Sequence, residues 1–233
     1  MPEFIRELGS RLYDDFIYQR RYMYILKGLG NTALITVFAL LIGVILGVLI
    51  AVVRAVHAGD KSKLRVLNAV CGLYLTVIRG TPMIVQLMIM YFAILKSADE
   101  LVVAIVAFGI NSGAYVAEVI RSGIQSVDRG QAEAGRSLGL TQRQTMVRII
   151  MPQAFRNVAP AIFNEFISLL KETSVAGYVG IQDLTKGGDI IRSVTYDPFP
   201  PLLVVGGIYL VIVVCLTRLL AKLERGFAKS DLR

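Results

Sequence analysis

The chain has 233 residues, 55% of them hydrophobic, and a formal net charge of +8. A mean hydropathy of +0.62 is too high for a soluble domain and the length is too short for two large ones, so the composition points to a polytopic membrane protein. The basic residues cluster in connectors between apolar runs, which argues for membrane orientation and against nucleic-acid binding. Cys71 and Cys215 fall inside apolar segments and His57 is the single histidine, so no disulfide framework and no metal site are expected.

In chain order, residues 1–30 are polar and read as an amphipathic segment, with 4–24 lying on the outer interface. No cleavable signal peptide is expected, because the first apolar run is too long for a signal core. Residues 33–53 carry no charge over about 30 Å of helix, which matches the hydrocarbon core and makes the first span. Gly43 and Gly47, four apart on it, read as a face for packing another helix. Residues 69–78 and 83–95 are both apolar but are interrupted by Arg79, Gly80 and Pro82. The second span is therefore either kinked at Pro82 or, the reading favoured here, starts near Arg79 after an interfacial helix. Residues 101–120 make the third span, 158–170 anchor the fourth and 201–217 form the fifth. Together they define a transmembrane domain over 31–222, followed by a cytoplasmic tail at 223–233. The connector after span one, the connector between spans three and four, and the tail carry most of the Lys and Arg and are assigned to the inside, which puts the N-terminus outside.

The connector at 126–148 has its own local code. Asp128 with Gln131 and Thr141 with Gln144 form two N-terminal capping patterns, and Gly139 stands where the first short helix should stop, so the segment reads as helix-turn-helix. Ala132, Ala134 and Gly135 are small enough to let another protein's surface approach the backbone. Arg136, Arg143 and Arg148 hold the segment on the cytoplasmic side.

Polar residues at membrane depth each need a reason. Glu118 and Arg121, three apart, permit a local ion pair. Asn164 and Glu165 have no basic residue one turn away, which leaves a contact across helices or a water-lined cavity. Asn111, Ser112 and Tyr115 make a polar stripe that is either interhelical glue or a substrate surface. Arg79 reads as structural, reaching headgroups or packing against the cytoplasmic helix. Glu172, Thr173 and Ser174 end span four and open the glycine-containing segment 175–184, which reads as non-helical backbone suited to a gate, with Gly177 and Gly180 supplying flexibility.

Glu133-Ala134-Gly135-Arg136-Ser137-Leu138-Gly139, followed after nine residues by Ile149-Ile150-Met151-Pro152, resembles the EAA loop of ATP-binding-cassette importer permeases. Arg79-Gly80-Thr81-Pro82 with Gln86, Asn111 to Tyr115 with Glu118, and Leu169 to Ser174 resemble the polar amino acid branch of that family, in its order and spacing over about 79–184. Gly135 stands where the family usually has Ala, and Met151 where it has Leu. The resemblance implies an all-α membrane protein with five transmembrane helices and a cytoplasmic EAA coupling helix between spans three and four. It implies ATPase coupling through Glu133, Ala134, Gly135, Arg136, Gly139 and Pro152. A substrate path is implied along Asn111, Ser112, Tyr115, Glu165, Glu172, Thr173 and Ser174, with Arg79, Gly80, Thr81, Pro82 and Gln86 as a structural motif.

The implied partners are two ATP-binding subunits, a second permease copy or homologue, an extracytoplasmic amino-acid-binding protein and membrane lipid, in a bacterial cytoplasmic (inner) membrane. The chain has no Gly-x-x-x-x-Gly-Lys-Ser/Thr loop, so ATP and Mg belong to the partner ATPase and no cofactor is expected here. The alternatives are a permease for another small solute such as methionine and an ATP-independent secondary transporter. The motifs at 79–86 and 169–174 tilt against the first, and the short chain with its capped connector against the second.

Overall fold

The computed structural model describes residues 9–230, with side chains described to residue 225. Residues 1–8 of the expected amphipathic segment and 231–233 of the expected tail lie outside the described residues. Every regular element among the described residues is helical. The helices are α1 (Tyr22–Gly59), α2 (Arg65–Gly80), α3 (Met83–Ile89), α4 (Glu100–Gln125), α5 (Arg129–Ser137), α6 (Gln142–Thr145), α7 (Met151–Glu172), α8 (Leu184–Thr195) and α9 (Phe199–Ser230). Single π turns extend α3 over Met90–Ile94 and α6 over Met146–Ile150.

α1, α4 and α9 are long and apolar enough to cross a membrane, and α2 with α3 make a fourth such unit if the pair, broken at Thr81 and Pro82, counts as one span. The break has a local cause. Thr81 is extended at φ −121°, ψ 146°, as expected of a residue before proline, and Pro82 opens the next helix. α1 begins at Tyr22, well before the first span expected at 33–53, because Tyr22 to Leu29, apolar but for Lys27 and Gly28, continues the helix. α7 is not among the candidate spans, since Arg156, Asn157, Asn164, Glu165 and Lys171 dilute its apolar run.

The chain packs as two compact units. The first takes the chain up to Ala39, Met83–Phe108 and Ser168–Leu216; the second takes Leu40–Pro82, Gly109–Ile167 and the chain from Thr217. In the first unit, Ile25, Leu184, Ile191 and Val205 form a buried cluster from α1, α8 and α9. The turn before α8 is pinned to α1. Thr32 Oγ1 accepts from Leu184 N at 3.0 Å, Asn31 donates to the Gln182 carbonyl at 2.9 Å, and Gln182 donates to the Tyr24 carbonyl at 3.1 Å. A Cβ on Gly28 would lie 2.4 Å from the Asp183 carbonyl oxygen, so only glycine admits this approach. The expected non-helical gate at 175–184 is thus corrected: Thr173–Val179 is 3-10 helix, Gly180 turns at φ 90°, and the remainder is held to α1 by hydrogen bonds.

In the second unit, Gly43 and Gly47 seat α1 against α4. Cβ atoms there would meet Ser112 Oγ at 2.7 Å and Val116 Cγ1 at 2.6 Å, so the pair packs a helix, as its spacing predicts. Leu75, Ala114 and Ala117 are buried beside them, with Ile50, Tyr74 and Ile78 packed around. The Tyr74 hydroxyl donates to the Ile110 carbonyl, tying amphipathic α2 to α4.

Candidate functional site

The connector between α4 and α7 folds as a helical hairpin in the second unit. Asp128 caps α5 by accepting from Gly130 N at 2.7 Å, whereas the Gln131 amide oxygen accepts from Gln153 at 3.3 Å. The capping box at Thr141 is complete: Gln144 Oε1 accepts from Thr141 N at 2.9 Å and Thr141 Oγ1 accepts from Gln144 N at 3.3 Å. Gly139 lies at φ +75°, the left-handed turn that ends α5 and frees its N–H to bond the Arg136 carbonyl at 2.9 Å.

The face of α5 differs from expectation. Gly135 is buried, and a Cβ there would meet Thr145 Cγ2 at 2.7 Å and Ile149 Cδ1 at 3.1 Å. Its small size serves the packing of α5 on its own neighbour rather than the approach of another protein. The open surface is instead Glu133, Ala134, Arg136 and Leu138, with Pro152 exposed at the start of α7. Leu138 is 78% exposed at the hairpin tip, a feature that sequence reasoning passed over. The available signal was an isolated leucine between Ser137 and the terminating Gly139.

A second group of predicted residues lies on α4 and α7 in the same unit. Asn111 and Ser112 are buried, and Ser112 Oγ donates to Glu165 Oε1 at 3.0 Å across 53 positions of sequence. Tyr115 shares a helical face with Asn111 by spacing but is 39% exposed, with the Arg79 guanidinium 6.0 Å above its ring. Arg79 also reaches Glu118 at 3.7 Å, and Glu118 takes two hydrogen bonds from Arg121. The expected Glu118–Arg121 pair is present, and Arg79 joins it instead of only reaching outward. Thr81 donates to the Val77 carbonyl at 2.8 Å and caps the end of α2, and Gln86 is half-buried on α3.

The remaining predicted residues belong to the first unit. Glu172 is exposed at the end of α7, and Thr173 is fully buried with its hydroxyl donating to the Leu170 carbonyl at 2.7 Å. Ser174 lines a cavity of about 300 Å3 with Tyr178, Thr185, Lys186 and Asp189. Hydrogen bonds from Arg192 and Lys186 hold the Asp189 carboxyl below its ordinary value, so it stays charged and matched by two cations. Among the described residues no group of three or more His, Cys, Asp or Glu is arranged to hold a metal ion, and Cys71 and Cys215 are both free thiols.

Residues 43–229 match the model of the binding-protein-dependent transport system inner membrane component family. The chain belongs to that family. Within it, the chain is 37% identical over 212 residues to the arginine transport system permease protein ArtQ of Bacillus subtilis, covering 89% of this chain and 94% of that one. It is 34% identical over 212 residues to the putative glutamine transport system permease protein GlnP of Rickettsia prowazekii, with the same coverage. Among solved structures it resembles an amino acid ABC transporter with histidines at a TM-score of 0.82 and 40% identity, covering 90% of this chain and 97% of that one. The stretch assigned to the inner membrane component family contains the hairpin and every residue of the two polar groups described above.

Proposed function

We propose that this chain is the permease subunit of an ATP-binding-cassette importer for a polar amino acid. The observation that carries the proposal is the near end-to-end likeness to amino acid transport permeases at the sequence level, joined to a solved amino acid transporter of the same fold. The chain sits in the bacterial inner membrane with five spans, α7 being the fourth and the polar one that lines the path. The hairpin α5–α6 is the cytoplasmic coupling element. Its exposed Glu133, Arg136 and Leu138 enter a cleft on a separate ATPase, and two such ATPases drive two permease chains between outward-open and inward-open states. A folded hairpin, closed by caps at both helix starts and a left-handed glycine between, is stiff enough to transmit that motion. An extracytoplasmic binding protein delivers the substrate. Asn111, Ser112 and Glu165, bonded across α4 and α7, contribute to the path, as do Glu172, Thr173 and Ser174 beside the cavity at Ser174.

The deciding experiment is reconstitution of the chain with its ATPase and binding protein in liposomes. A panel including arginine, glutamine, cystine and methionine is then tested for substrate-stimulated ATP hydrolysis and uptake. Stimulation by one or more polar amino acids is expected. Stimulation by methionine alone moves the chain to another solute, and uptake by the chain without its ATPase identifies a secondary transporter.

A further inference from the structure

We propose that the cleft where the end of α1 meets α2, α4 and α6 is a binding site for an anionic phospholipid. This goes beyond the permease reading and requires only that α1 crosses a membrane. The cleft lies wholly within the second unit and encloses about 430 Å3. It is lined by apolar Ala51, Leu75 and Ile124 together with basic Arg54, Arg121 and the imidazole of His57. A neighbouring hollow of about 450 Å3 shares Arg54, Leu75 and Glu118 and adds Arg79.

The charge balance of this region is unequal. Three guanidinium groups, from Arg54, Arg79 and Arg121, surround one carboxylate, Glu118. Arg121 is hydrogen-bonded to Glu118, and Arg79 lies 3.7 Å from it. Arg54 makes no hydrogen bond or ion pair at contact distance among the described residues and adds a longer-range attraction to Glu118, although it lines both hollows. A guanidinium presents a planar fork that matches phosphate oxygens, so Arg54, whose fork is not engaged by a direct hydrogen bond and which lines a largely apolar cleft, fits a phosphate attached to something greasy. The adjoining connector adds to the field. Asp60 caps its tight turn through Ser62 and pairs with Lys63 at 3.5 Å, and His57 Nδ1 donates to the Lys63 carbonyl at 2.9 Å, holding exposed Lys61 and Arg65 next to the end of α1. Basic pockets between helices at the membrane surface bind anionic headgroups. The apolar wall then takes the glycerol and first acyl methylenes, a contact that a water-soluble anion has no use for.

The test uses the purified full chain in detergent, titrated by native mass spectrometry with phosphatidylglycerol, phosphatidylcholine and glycerol phosphate. Phosphatidylglycerol is expected to be retained preferentially. Arg54→Gln is expected to reduce that retention about fivefold, the worth of one basic residue at an anionic surface, with Arg54→Lys keeping most of it. Because Arg54 makes no direct hydrogen bond or ion pair and Glu118 keeps Arg121 and Arg79, both variants should melt like the parent chain, so a loss of lipid is read as loss of the site. Equal retention of the two lipids, or undiminished preference in Arg54→Gln, overturns the proposal. Displacement of the lipid by equimolar glycerol phosphate also overturns it, by identifying a site for small anions.

Discussion

At Gly135 the chain has the smallest residue available, and the reason is visible in Thr145. An alanine Cβ would sit 2.7 Å from Thr145 Cγ2 and 2.8 Å from its Oγ1, inside van der Waals contact. Gly135→Ala is therefore expected to cost about 1–3 kcal/mol through overpacking. Thr145 Oγ1 is buried with no hydrogen-bond partner, so Thr145→Ala removes both clashing atoms at little polar cost. The double variant should recover most of the thermal stability that Gly135→Ala loses, and independent, additive losses would show that the two residues are not coupled. Glu165 allows a second test at this scale. Glu165→Gln keeps an acceptor for Ser112 but removes the charge, so the melting temperature should hold while amino acid uptake falls if the carboxylate lines the path. A melting temperature that falls together with uptake assigns Glu165 to packing instead.

Among the elements, the turn between the 3-10 segment and α8 changes its meaning once its partners are seen. Gly180 and the largely apolar stretch before it favour a mobile gate, yet Thr32, Asn31 and Tyr24 on α1 hold Gln182 and Leu184 by hydrogen bonds. Thr32 is fully buried, so Thr32→Val leaves the Leu184 N–H without its acceptor, at an expected cost of about 1–3 kcal/mol. Hydrogen exchange should then accelerate at the first turn of α8 and leave α5 unaffected. Unchanged protection at Leu184 would mean that the bond does not hold the turn. The α5–α6 hairpin is the opposite case, because its capping signals lie within a few residues of one another. The Thr141 box and the Gly139 stop were readable directly, whereas the Asp128 cap lost its expected reciprocal partner to Gln153, a residue 22 positions from Gln131.

For the whole molecule, the proposed five-span topology places residue 97 outside and residue 222 inside. With Cys71 and Cys215 replaced, an impermeant thiol reagent on intact cells should label Ser97→Cys and not Lys222→Cys. Labelling of both, or the reverse pattern, overturns that orientation. The sequence by itself determined the membrane class, the long apolar helices α1, α4 and α9, the interruption at Pro82 and the helical hairpin. These depend on hydropathy summed along one stretch of chain, or on caps and prolines acting within one turn. Only the tertiary structure decided that Gly135 faces its own hairpin, that Ser112 meets Glu165, that Arg79 joins Glu118, and that the turn at 180–184 is pinned to α1. Each of these depends on which faces of separate helices meet, and the helical period marks the faces of one helix without naming its partner.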